Sequence, residues 1–364
     1  MGMRNIQDAT AAAQMFRVGG AIENVVWHGN GHIHESYKVQ YRDSNANRSI
    51  LLQRLNTQIF RDPVTMMRNI QRVTAHLHLR LGDKPDLERR VLQVISARNG
   101  NPCYVDQEER YWRAYEFIEG THSFENVTSG EQAFHAAKAF GTFEALLSDL
   151  PSTRLRETIS HFHDTPRRFT EFEQVLEIDP IGRAKEAREA IAFAKSRKTL
   201  APAFANANLP IRITHNDAKL NNVLLDDATG EGICVIDLDT VMPGLVVHDF
   251  GDMVRTMTSS AAEDEREVSK VQIDMELYDA VLRGYLSSTR SFLTKPEHES
   301  LITGAKVIVF EQGLRFLSDF LAGDPYYKMS RSGHNLDRCR TQFKLLESIE
   351  KKESEMVRKL RTIL

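Results

Sequence analysis

Two short apolar runs, each joined to oxygen-bearing side chains, constrain this chain more than any other feature. The first is Ile213-Thr214-His215-Asn216-Asp217-Ala218-Lys219-Leu220-Asn221-Asn222-Val223-Leu224-Leu225, and the second is Ile233-Cys234-Val235-Ile236-Asp237-Leu238-Asp239. In the first, Asp217 and Asn222 stand on a polar stretch that leads into a strand-like run. In the second, a strand-like run ends in Asp237. An Asn-Asp dipeptide alone is usually an ordinary turn. Two apolar strands at this separation, each flanked by a side chain able to hold a hard cation, favour a functional reading.

The chemistry this set suits is phosphoryl transfer. That reaction has a loose transition state, so the protein must position the nucleophile and spread charge rather than form covalent bonds. Asp217 is the candidate base that orients the attacking hydroxyl, and Asn222 and Asp237 offer oxygens suited to Mg2+ on nucleotide phosphates. His215, Asp217 and Asn222 repeat the spacing of the protein-kinase loop H-R-D-x-x-x-x-N. His215 reads as a residue that orders the loop. Lys219 either approaches the γ-phosphate or faces solvent, and Asp239 is open between a further metal ligand and a turn carboxylate. His248-Asp249-Phe250-Gly251-Asp252 carries the letters D-F-G, but Asp237 already ends the hairpin strand. Asp249 is therefore expected to be buried support for the catalytic loop.

The periodicity divides the chain. A helix is expected over residues 8–18, then strands over 22–26, 47–56, 91–97, 103–106 and 111–118, with a helix over 63–79 between them. Gly29 and Gly31 lie in a hairpin whose backbone can approach a ligand closely, as the glycine-rich loop of a kinase covers ATP phosphates. The strand that in protein kinases presents a phosphate-gripping Lys has Gln53 there, and the following helix contains no Glu. Arg54 or Arg68 are the candidate replacements. Glu116, Phe117 and Ile118 fall where a hinge would offer backbone groups to adenine. Later segments read as helices over 131–147, from Pro166 through Val175, and over 186–196, 276–286, 300–320 and 339–360.

The 364 residues are ample for two lobes, and 41% hydrophobic with 27% charged residues is ordinary for a globular enzyme. A net charge of −3 without long runs of one sign argues against a dedicated nucleic-acid or membrane surface. Cys103, Cys234 and Cys339 form no metal pair or disulfide framework, so a reducing cytoplasm is expected. No apolar run reaches the roughly 18–20 residues of a membrane helix, and neither a signal-peptide nor a myristoylation pattern opens the chain.

With these residues in view, the chain resembles the aminoglycoside phosphotransferase/choline kinase superfamily, and within it the N-acetylhexosamine 1-kinase branch. The likeness runs over nearly the whole length, through Gly29-Asn30-Gly31-His32-Ile33, Leu52-Gln53-Arg54-Leu55-Asn56, His161-Phe162-His163-Asp164-Thr165-Pro166, the segments around Asp217 and Asp237, Gly313-Leu314-Arg315-Phe316-Leu317, Gly323-Asp324 and His334-Asn335-Leu336. The resemblance implies an α+β, protein-kinase-like two-lobed fold. Residues 1–115 would form a small antiparallel β-rich nucleotide-binding lobe, and 116–364 a larger, mainly helical catalytic lobe. It further implies ATP and Mg2+ as cofactors and transfer to the anomeric hydroxyl of N-acetylglucosamine or N-acetylgalactosamine. The sugar would be held by Asp217, His32, Arg315 and Tyr326, and the nucleotide by Gly29, Gly31, Gln53 and residues 116–118. A monomer is expected. Rival readings are a kinase of choline, homoserine or an aminoglycoside, and a non-catalytic pseudokinase. Choline would call for an aromatic cage, which the later part of the chain supplies poorly, since Trp27 and Trp112 both lie early in the chain. A pseudokinase would have lost Asp217, Asn222 or Asp237.

Overall fold

The structure, a computed structural model, describes residues 2–29, 33–43, 46–84 and 86–364. The N-terminal part is built on a sheet of β1 (Ala21–Trp27), β2 (Glu35–Asp43), β3 (Ala46–Arg54), β4 (Val94–Ile95), β5 (Tyr104–Val105) and β6 (Tyr111–Glu116). Its order is β1-β2-β3-β6-β4, with β5 also on β6, and every pairing is antiparallel. Alternation sets the two faces. Tyr37, Val39, Tyr41, Ile50, Leu52, Trp112 and Ala114 point to one side, where Ala9, Ala12 and Ala13 of α1 (Gly2–Ala13) and Phe16 close a small core. Leu51, Gln53, Arg113 and Tyr115 point to the other, toward the helices.

Helix α2 (Pro63–Leu81) starts at the Asp62 cap with Pro63 in its first turn, where a missing N–H is harmless. Its inner face, Met66, Met67, Ile70, Val73 and Leu77, belongs to the large second core. Asn69 of α2 also donates to the carbonyls of Arg156 and Val241 at 2.7 and 3.3 Å and accepts from the Arg156 N–H at 3.1 Å, tying α2 to the helical part.

After the short α3 (Leu87–Arg90) and β7 (Thr121–His122), helices dominate: α4 (Gly130–Leu147), α5 (Thr165–Ile178), α6 (Arg188–Ser196), α7 (Val246–Met257), α8 (Met275–Thr289), α9 (Lys295–Ala322) and α10 (His334–Ile363). Between α6 and α7 lie β8 (Arg212–Thr214), β9 (Val223–Asp226), β10 (Gly232–Val235) and β11 (Met242–Gly244). β9 and β10 form an antiparallel hairpin joined by β7, and β11 pairs with β8. This is the mixed α+β architecture expected, an antiparallel sheet region followed by a helical region.

The expected helices and strands are present with shifted ends, and two helices were not anticipated: the four-residue α3, and α7, which holds the segment that reads His248-Asp249-Phe250-Gly251-Asp252. Nearly all of α7 is buried, although its apolar Val246, Val247, Phe250, Met253, Val254 and Met257 recur at helical spacing with His248, Asp249, Asp252 and Arg255 between them. It crosses α9 where glycines meet. A Cβ on Gly251 would come within 2.5 Å of the Gly304 carbonyl oxygen, and one on Gly304 would collide with that of Val247. Among the described residues no helix is long and apolar enough to cross a membrane.

Candidate active site

The loop between β8 and β9 is held from beneath by α7. Asp249, in the first turn of that helix, accepts the backbone N–H groups of His215 at 2.6 Å and Asn216 at 2.7 Å. Asn216 takes the left-handed conformation, with φ 64°, which Asn tolerates better than most residues. Its side-chain amide donates to the Thr240 carbonyl at 3.0 Å. The His215 ring donates from Nε2 to the Ile236 carbonyl at 2.9 Å, and its Nδ1 faces the Asp217 N–H at 3.3 Å. His215 thus links the catalytic loop to the strand that ends at Asp237, the ordering role its position suggested.

A second support comes from the His-rich connector. The His163 ring reaches the Asn216 carbonyl through Nε2 at 2.9 Å and Glu311 through Nδ1 at 2.8 Å, while Thr165 donates to the other Glu311 oxygen at 2.6 Å. A carbonyl and a carboxylate can only accept, so both ring nitrogens carry hydrogen. Burial would lower the His163 pKa, but the Glu311 charge and hydrogen bond outweigh it and raise it. Burial likewise acts against the Glu311 charge, yet His163 and Thr165 bring its pKa down to about 2.

Asp217, Asn222 and Asp237 converge. Asn222 Nδ2 donates to Asp217 Oδ2 at 3.0 Å and to the Asp217 carbonyl at 2.8 Å, and the Asn222 side-chain oxygen has no hydrogen bond among the described residues. The Ile236 N–H donates to the Asn222 carbonyl at 2.9 Å, which draws the next residue, Asp237, alongside. Lys219 Nζ lies 2.8 Å from Asp217 Oδ2. Burial alone would raise the Asp217 pKa, but the Lys219 charge and hydrogen bond bring it down to about 2, so the group is a carboxylate at neutral pH. Asp237, itself at φ 59°, has no hydrogen bond or ion pair from its carboxylate among the described residues, and burial together with the neighbouring Asp239 raises its pKa. An orphaned carboxylate beside that amide oxygen fits a magnesium ion that takes its other ligands from phosphates and water. No group of three or more His, Cys, Asp or Glu side chains that could hold a metal occurs among the described residues, so an all-protein cage is not offered there.

Asp239 is committed elsewhere. The Arg113 guanidinium forks onto both its oxygens, and His34 Nε2 lies 2.5 Å from Oδ2. Arg113 Nε donates to Gln53 Oε1 at 2.9 Å, and Gln53 Nε2 to Ser36 Oγ at 2.9 Å. The cation beside Gln53 is therefore Arg113, which the strand pattern did not single out. Of the two anticipated candidates, Arg54 pairs with Glu35 and Arg68 is exposed.

On the nucleotide side, Gly29 is left-handed at φ 75° and its carbonyl accepts from the Trp27 indole at 2.9 Å, whereas Gly31 and His32 lie outside the described residues. The Glu116 and Phe117 N–H groups are bonded to the Gln93 and Ser49 carbonyls, and the Ile118 N–H has no backbone partner among the described residues. Lys38 pairs with Glu119 at 2.8 Å and sits 3.9 Å over the Phe117 ring.

Arg315 does not pair with Glu311, which His163 and Thr165 occupy. It donates to Gln312 at 3.2 Å and lies over the Phe162 and Tyr327 rings, 5.3 and 5.8 Å from their centroids. Asp217 is among the charges that act on Arg315, and that guanidinium pKa is raised overall, against burial, by Tyr327, Tyr326, Glu311 and Asp217. Tyr326 is 56% exposed and edge-on to Tyr327, so the ring against Arg315 is Tyr327. Phe162, Gln312 and Tyr327 join this wall without having been marked by sequence, because packed aromatic and amide side chains carry no spacing signal.

Residues 46–293 match the model of the phosphotransferase enzyme family. Solved structures share the fold at low identity. A microcompartment-associated aminopropanol kinase is 17% identical, with 96% of this chain and 98% of that chain covered and a TM-score of 0.59. An aminoglycoside phosphotransferase from Alicyclobacillus acidocaldarius is 13% identical, with 97% and 96% covered and a TM-score of 0.63. A spectinomycin phosphotransferase, solved with ADP and its antibiotic, is 13% identical, with 95% and 98% covered and a TM-score of 0.61.

Proposed function

This chain belongs to the phosphotransferase enzyme family, and from that premise we propose that it moves the γ-phosphoryl group of ATP onto the anomeric hydroxyl of N-acetylglucosamine or N-acetylgalactosamine, yielding the sugar 1-phosphate. Residues 1–115 supply the nucleotide-binding lobe in this reading and 116–364 the catalytic lobe. Asp217 orients the acceptor hydroxyl and takes its proton late, helped by a pKa low enough to keep it ionised. Lys219 and the Asn222 amide both hold the Asp217 carboxylate, on the same oxygen, Oδ2. Mg2+, when held by Asn222 and Asp237, would neutralise charge developing on the phosphate oxygens. Adenine is assigned to the Glu116–Ile118 backbone, and the phosphates to Gly29, Gly31 and Gln53.

The observation that carries the acceptor assignment is Arg315. A part-buried guanidinium over Phe162, whose neighbour His163 bonds the Asn216 carbonyl, with a second aromatic wall in Tyr327, suits a neutral polyhydroxyl compound and opposes a quaternary ammonium or polyamine acceptor. His32 and Tyr326 complete the sugar contacts in this reading. The test is ADP release from ATP and Mg2+ with N-acetylglucosamine, N-acetylgalactosamine, choline and homoserine offered in parallel. Turnover with either hexosamine is expected; none with both, alongside turnover of choline or homoserine, moves the assignment to another hydroxyl acceptor.

A further inference from the structure

Protein kinases cross their cleft with a strand Lys paired to a helix Glu. Here β3 carries Gln53, and α2 has no Glu. The cross-strand partner of Gln53 on β6 is Arg113, so both side chains leave the same face of the sheet. Arg113 is 1% exposed and Asp239 is equally buried, and together they bridge 126 positions of sequence. His34, at the far end of the glycine loop, completes the cluster, with its Nδ1 accepting the Asn56 N–H at 3.0 Å. Two separate pieces of the sheet region, β6 through Arg113 and the segment before β2 through His34, therefore meet on one carboxylate, two positions beyond Asp237. A buried Arg-Asp pair is a poor source of stability, because desolvation offsets most of its attraction. Its use lies in fixing geometry.

We propose that Arg113 is a positioning residue that replaces the strand lysine, acting through Asp239 on the nucleotide site. It locks the Asp237–Asp239 segment to the sheet, and it occupies Asp239 so that Asp237 is the carboxylate of that segment left for the metal. This inference rests on the kinase reading above. In protein kinases the cross-cleft ion pair runs from strand to helix, whereas here it runs from strand to the metal-binding segment itself.

The experiment measures Mg·ADP affinity by calorimetry, thermal midpoints, and the KM values for ATP and acceptor, in the full chain. Arg113→Gln is expected to weaken Mg·ADP by about 10- to 100-fold, as loss of a residue behind a metal ligand does, while the acceptor KM stays within about threefold. Gln53→Lys combined with Arg113→Gln places an ammonium within reach of Asp239 from β3, and is expected to restore most of the nucleotide affinity. An Arg113→Gln variant that binds Mg·ADP like the wild type overturns the proposal, whatever its thermal midpoint. So does a double variant that regains the midpoint but not the affinity. Should Arg113→Gln not fold, Arg113→Lys keeps the charge without the fork: an intermediate loss of affinity supports the proposal, and unchanged affinity overturns it. A wild-type chain that neither binds Mg·ADP nor transfers phosphate from ATP sinks the kinase reading, and this inference with it.

Discussion

Asp217 is surrounded by groups that keep it charged and still. Lys219, the Asn222 amide and the His215 ring all bear on it, directly or through its backbone. Asp217→Asn retains the shape but removes the proton acceptor, so turnover should fall by a factor of about 10² or more while Mg·ADP affinity changes little. A steady-state assay beside a calorimetric titration checks this, and an active variant refutes the assignment. His163 and Glu311 behave differently because they titrate against one another. The raised His163 pKa contributes stability that is complete below its unfolded value of 6.5 and is lost as pH rises through the folded value. The depressed Glu311 pKa contributes stability present above its unfolded 4.5 and lost as pH falls toward about 2. The pair is therefore worth most between about pH 4.5 and 6.5. The wild-type thermal midpoint should exceed that of His163→Gln by more at pH 6 than at pH 9, and an equal difference at both would show that His163 is not charged.

At the level of elements, α7 is the piece that turns packing into geometry. It rests on α9 through Gly251 and Gly304 and presents Asp249 to the catalytic loop. Gly304→Ala would force the two backbones apart, at a cost of about 1–3 kcal/mol for overpacking. Because the displacement passes to Asp249, kcat should fall along with the thermal midpoint, while a surface Ala substitution on α10 should change neither. A Gly304→Ala chain with normal kcat would mean that the loop does not depend on this crossing. The same elements explain what sequence could convey. Local spacing located Asp217, Asn222 and Asp237, because all three hang on one strand-loop-hairpin unit. It also suggested that Asp249 would support the loop, yet missed the helix that carries it, although Val246, Val247, Phe250, Met253, Val254 and Met257 recur at helical spacing; the D-F-G letters there read as a motif and not as a helix. Partnerships such as Arg113 with Asp239, or His163 with Glu311, join residues more than 120 positions apart, and no periodicity encodes them.

Across the whole molecule, the described residues form two hydrophobic cores. The smaller lies under α1, the larger runs from α2 through the helices, and the strand β6 contributes to both. Arg113 and His34 tie the sheet region to Asp239, two positions beyond Asp237, whose carboxylate has no hydrogen bond or ion pair among the described residues and is raised in pKa. Such a segment is held in the free protein at the expense of one uncompensated carboxylate, which a divalent cation with its nucleotide would relieve. Ligand binding should then stabilise the native state by mass action, by about 2.7 kcal/mol at a hundredfold excess over Kd. For a chain of this length that is a rise of roughly 3–6 °C in the thermal midpoint. ADP with Mg2+ should produce this rise, ADP with EDTA much less, and Mg2+ alone little, since Asn222 and Asp237 supply only part of the metal's ligands without phosphates. An equal rise with ADP whether or not Mg2+ is present would show that the Asp237 carboxylate is not where the metal acts.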